Sequence, residues 1–193
     1  MTEERMRHFE APSLDLLDRI AAAPLPGGDS PLEMDLFRDL YFDTPARELE
    51  HRGVIAHLRI RADGAAVLTV ELRDRGVGPD GPVLRTARAD LAAADAEAAF
   101  AGDSEPATLL RAITDPSRLA PVLELETTRR SRRIQGAMVH CDSVTIRGEG
   151  NVRELWEVEL QLDADAAPDL ADALAEEFGL EPVTAVPIVR ART

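Results

Sequence analysis

Between Val54 and Arg73 the chain alternates apolar and polar residues on either side of Asp63-Gly64, a pattern that admits little besides a β-hairpin. Its first half ends in His57-Leu58-Arg59-Ile60-Arg61. Side chains two apart on a strand share a face, so Arg59 and Arg61 project to one side while Leu58 and Ile60 project to the other. One face is cationic and the other apolar. Such a sheet either turns its polar side into an anion-holding cavity or exposes it to water, and the sequence pattern is the same in both cases.

Composition narrows the ligand class. The chain has 193 residues, enough to bury a sizeable core, and reads as a single domain over residues 1–193 with a helical insertion at about 91–119. A formal net charge of -14 repels polyanions at a distance, which argues against non-specific binding to nucleic acid or to an anionic membrane. A phosphate-bearing ligand must then be caught by a local basic group. All 22 basic side chains are arginines, which stay ionised and grip two oxygens at once. The single cysteine, Cys141, excludes an intramolecular disulfide and suits a reducing cytoplasm. No targeting segment and no run of 18 apolar residues is evident, so the expected protein is soluble, cytoplasmic and free of the membrane.

The remaining elements follow from caps and periodicity. A strand is expected over Glu4 to Glu10, then a helix capped by Ser13 with Leu14, Leu17, Ile20 and Ala21 on one stripe. A second strand reaches Phe42, where Asp43-Thr44-Pro45 offers a cap and a first-turn proline for a short helix closed by Gly53. After the hairpin come a strand from Val83 to Ala89 and helices from Leu91 to Phe100 and Ala107 to Ile113. Strands at Val122 to Ile134, Ala137 to Arg147 and Arg153 to Leu162 precede a helix with Leu170, Leu174 and Phe178 on one side, ended by Gly179. A last strand is expected over Val183 to Val189.

In this order and spacing, Tyr41-Phe42-Asp43-Thr44-Pro45, Leu58-Arg59-Ile60-Arg61, the Arg130 strand and Trp156-Glu157-Val158-Glu159-Leu160 resemble a CYTH domain, the module of the triphosphate tunnel metalloenzymes. The resemblance implies an α+β fold with a closed antiparallel β-barrel of eight strands and flanking helices. In its polar bore, basic residues hold a phosphate chain and acidic ones hold a divalent cation, Mg2+ or Mn2+. A triphosphate carries about four negative charges near neutral pH, so both the arginines and the bridging cation are needed for hydrolysis. Carried across, Arg59, Arg61, Arg85 and Arg130 resemble the phosphate grips, with Arg132 beside them, and Glu157, Glu159 and Glu4 resemble the metal-side carboxylates.

The same resemblance exposes departures. The family opens with Glu-x-Glu-x-Lys, and the matching stretch here is Glu4-Arg5-Met6-Arg7-His8, which replaces one carboxylate with a thioether and the lysine with an imidazole. Glu71 stands where the family has a lysine, Ala87 where it has a glutamate, and Arg190 stands near the place of the missing terminal lysine. The acids that the family carries near Val144 to Gly148 are absent unless the register slips to Asp142 or Glu149.

Plainer readings stand beside these. Arg59 and Arg61 also fit a solvated face or cross-sheet salt bridges to Glu157 and Glu159, and the cluster Arg129-Arg130-Ser131-Arg132-Arg133 fits an exposed strand end. His8, His57, His140 and Cys141 lack the spacing of a zinc site, and Trp156 reads as core. Three functions remain. The first is a domain that binds a small anionic phosphate-containing ligand with weak or no catalysis. The second is a metal-dependent triphosphate hydrolase, for inorganic or thiamine triphosphate, or a class IV-like adenylyl cyclase. The third is a structural or interaction module.

Overall fold

Nine strands form one sheet in the computed structural model, which describes residues 5–25, 30–73, 83–148, 151–163, 166–167 and 169–183. They are β1 (Arg5–Glu10), β2 (Glu33–Asp43), β3 (Val54–Arg61), β4 (Ala66–Arg73), β5 (Val83–Leu91), β6 (Ala120–Ile134), β7 (Ala137–Gly148), β8 (Asn151–Leu162) and β9 (Glu181–Pro182). The hydrogen-bonded order is β5-β4-β3-β2-β6-β7-β8-β1-β9. The registered pairs β1·β8, β1·β9, β2·β3, β3·β4 and β4·β5 are all antiparallel. The α+β class and the large antiparallel sheet agree with the expectation. The ninth strand is the two-residue β9 on the edge of β1, and most of the strand expected over Val183 to Val189 lies outside the described residues, as does Glu4.

Among the described residues five helices flank the sheet: α1 (Leu14–Ala22), α2 (Glu48–His51), α3 (Ala96–Ala101), α4 (Glu105–Ile113) and α5 (Leu170–Phe178), with a 3-10 turn at Pro116–Arg118. Two boundaries differ from expectation. Leu91 ends β5, and α3 starts only after Asp95, whose carboxylate accepts from the Ala98 amide at 3.0 Å. Asp43 does not cap an adjacent helix either. Its carboxylate reaches across a turn to accept from the amides of Thr44 (2.7 Å), Leu49 (2.9 Å) and Glu50 (3.1 Å), so one buried side chain satisfies the start of α2 from six residues away. Ser13 caps α1 as anticipated, accepting from Leu16, but Leu14 of the expected apolar stripe is exposed.

The chain divides into two compact units. One gathers β1, α1, β8, α5, β9 and the adjoining halves of β6 and β7 around Phe9, Leu17, Ile20, Val139, Val158, Leu160 and Leu174, with Trp156 packed against them. Its β6–β7 connection turns at Gly136, whose φ of +81 and close approach to Ala166 leave no room for a side chain. The other gathers β3, β4, β5, α2, α3, α4 and parts of β2 and β6 around Phe42, Leu49, Leu58, Leu68, Val70, Phe100 and Leu110. In each, one face of the strands is apolar and covered by helices, and the other carries the polar row. No helix among the described residues is long and apolar enough to cross a membrane.

Candidate functional site

In the unit built on β3, the cross-strand register fixes which polar residues meet. Asp39 lies opposite Arg59, Tyr41 opposite His57, and His57 opposite Thr69, which in turn faces Arg88. Arg59 donates from Nε and Nη2 to the two Asp39 oxygens, each at 2.8 Å, and its guanidinium carbon sits 4.1 Å from the centre of the Phe37 ring. The fork and the stacking hold this cation in one orientation. Arg61 follows on the same face. The side chains of Arg61 and Arg88 make no hydrogen bond or ion pair with another described residue, and both residues are exposed.

Deeper on that face the groups are neutral or paired. Tyr41 and His57 rings lie 5.1 Å apart. Burial, reinforced by Asp39, raises the Tyr41 phenol far above its ordinary range, and burial pushes the His57 imidazole below its ordinary value. His57 Nδ1 is buried without a hydrogen-bond partner among the described residues. Glu71 is paired with Arg73 at 3.0 Å.

Arg85 lies elsewhere. It shares its strand face with buried Ala87, opposite Leu72, and pairs with Glu105 of α4 at 2.5 Å. The arginine that β5 contributes to the face of Arg59 is Arg88. The alternation Thr86, Arg88, Asp90 against Ala87, Ala89, Leu91 carried that information in the sequence, and Arg85 interrupts the apolar row.

In the unit built on β1 and β8, the residue that gathers the acids is Arg129. From β6 it donates Nε to Asp142 Oδ1 at 2.9 Å and Oδ2 at 3.2 Å, and Nη2 to Asp142 Oδ2 at 2.6 Å and Glu159 Oε2 at 3.0 Å. Asp142 stands on β7 and Glu159 on β8, so three neighbouring strands meet on one guanidinium. Burial opposes the charge on Arg129, but the bonds and charges of Asp142 and Glu159 outweigh it and hold its pKa above the ordinary value. Burial pushes the Asp142 carboxyl up, against the pull of Arg129. Beside them Ser131 Oγ and His140 Nδ1 share a hydrogen bond at 2.7 Å, and burial followed by the Arg129 charge lowers the imidazole.

Arg130 and Arg132 point the other way, toward α1. Arg130 pairs with Asp18 at 2.7 Å, and Arg132, buried, donates to the Ile20 carbonyl at 3.0 Å near the helix C-terminus. Glu157 is buried opposite Glu10, and Glu159 faces His8 across β1. Arg59 takes Asp39, and Glu159 takes Arg129. Cys141 is buried, its thiol pushed up to about 12 by burial, which leaves it unreactive.

The sequence matches the CYTH domain family over residues 30–187. The chain belongs to the CYTH family. The CYTH fold is also what solved structures share with it. A putative adenylate cyclase from Bacillus halodurans superposes with a TM-score of 0.68 at 20% identity, covering 97% of this chain and 96% of that one. A putative adenylyl cyclase from Hippeastrum, described as having a dominant triphosphatase activity, gives 0.69 at 17% identity, covering 97% and 94%. A putative adenylate cyclase from Vibrio parahaemolyticus gives 0.53 at 15% identity, covering 98% of both chains. No curated protein sequence matches the chain. CYTH enzymes use a divalent cation, but the described donors of this CYTH chain do not fit one. Among the described residues no three His, Cys, Asp or Glu side chains are placed to hold a metal, Met6 lies opposite Gln161, and Glu159 is engaged by Arg129.

Proposed function

We propose that this CYTH domain binds a small anionic ligand carrying a phosphate chain, with weak or no catalysis. The observation that carries the reading is the arginine row on the polar face of β3 and β5. Arg59 is oriented by Asp39 and Phe37, and Arg61 and Arg88 share its face with no described partner for their charges. Guanidinium groups in that state suit phosphate oxygens, which accept from two donors of one fork. A chain of net charge -14 gains no long-range attraction for such a ligand, so recognition rests on these local donors. The buried free thiol of Cys141 agrees with a cytoplasmic protein.

Hydrolysis is the second reading, favoured by the triphosphatase activity stated for the Hippeastrum structure. It requires a cation site that the described carboxylates do not provide. The test is a thermal-shift and calorimetric titration with tripolyphosphate, ATP and thiamine triphosphate, each in magnesium and in EDTA, with phosphate release measured alongside. A ligand that binds the native state raises the melting temperature, by about 2.7 kcal/mol of stabilisation at a hundredfold excess over Kd. A shift without phosphate release is expected. Phosphate release abolished by Glu159→Gln points to the hydrolase, and no shift with any of the three leaves an interaction module.

A further inference from the structure

Glu159, one of the carboxylates that the resemblance assigns to a metal, is already engaged, together with Asp142, by a cation that belongs to the chain. Asp142 accepts three of the four short contacts from Arg129, and Glu159 accepts the fourth. The side chains are 20% exposed for Arg129, 8% for Asp142 and 14% for Glu159, so the cluster is largely shielded from water. Arginine does not deprotonate, and a divalent ion entering here would meet a fixed positive charge and strip it of both its counter-charges. The geometry also suits the occupant: Asp142 receives Nε and Nη2 side by side, the planar fork that a carboxylate matches and a spherical ion does not use.

We propose that Arg129 is the resident cation of the Asp142–Glu159 pair, replacing a divalent metal there, so that this chain takes its anionic ligand independently of magnesium or manganese. The statement about the pair stands on the contacts alone, and the statement about the ligand rests on the proposed function above.

The test uses the full chain stripped with EDTA and titrated with Mn2+ alone, followed by paramagnetic resonance of the free ion. The expected result is that wild type and Glu159→Gln bind Mn2+ identically. Binding by wild type that Glu159→Gln loses overturns the proposal. Arg129→Gln, shown folded by circular dichroism, should gain a Mn2+ site that Arg129→Gln/Asp142→Asn loses; a folded Arg129→Gln that gains none also overturns it. If Arg129→Gln does not fold, the wild-type and Glu159→Gln comparison decides. Tripolyphosphate titrated in EDTA and in magnesium separates the two claims. Equal affinity supports metal independence, and binding only in magnesium overturns it while leaving the ligand reading intact. Binding in neither medium removes the ligand reading and, with it, the metal-independent uptake, while the Mn2+ comparison still decides the role of Arg129.

Discussion

Arg129 and Asp142 face each other from adjacent strands, the guanidinium Nη2 2.6 Å from one carboxylate oxygen and Nε 2.9 Å from the other. Nearly all of that contact is shielded from water, so each group depends on the other for its charge to be tolerated. Removing one partner of such a pair costs about 3 kcal/mol, because it leaves the other charge buried and alone. Arg129→Ala should therefore lower the urea midpoint clearly, while Arg147→Ala, which loses an exposed pair with Glu126, should not. Equal effects in the two variants would mean that the cluster is not shielded in solution.

Asp43 is 1% exposed and accepts from three amides, two of them at the start of α2. Asp43→Ala leaves those donors without acceptors in a buried setting, at a cost of about 2 kcal/mol or more. Chemical denaturation should place Asp43→Asn between the wild type and Asp43→Ala, since the amide keeps one accepting oxygen.

His57 sets a pH dependence. Burial holds its folded-state pKa below the ordinary 6.5, so between that lowered value and 6.5 the unfolded chain binds more protons than the folded one. Its contribution to stability is complete above 6.5 and is lost as pH falls through the folded value. His140 is shifted in the same direction and adds to the slope. The unfolding midpoint should fall from about pH 7 to about pH 5.5, and His57→Gln should flatten the decline. An unchanged slope in that variant would falsify the assignment.

Ligand affinity separates the two faces of the strands. Arg59→Ala should weaken tripolyphosphate binding about tenfold, equivalent to roughly 1.4 kcal/mol. Arg85→Ala, whose side chain pairs with Glu105 on the helix-covered face, should leave that affinity as it is. Calorimetric titration of both variants reads the difference, and a larger loss in Arg85→Ala would move the ligand to the other face.

Local signals in the sequence located most elements. The hairpin at Asp63-Gly64 formed as the alternation required, with Gly64 at φ +83, and Ser13 and Gly179 bound α1 and α5. Arg59 and Arg61 were assigned to one face from their spacing alone, which the β2·β3 register reproduces. The choice among Arg129, Arg130 and Arg132 could not be made that way. Along β6 the buried positions fall on odd residues at Leu123 and Leu125 and on even ones at Arg132 and Ile134, so its periodicity names no single face. Which of these arginines meets the acids was settled by the strands beside it, where Asp142 and Glu159 converge on Arg129 while α1 takes Arg130 and Arg132. Spacing along a chain determines what shares a side of one strand; pairing between distant strands determines which charges lie within reach of one another, because that depends on register and on what packs against each face.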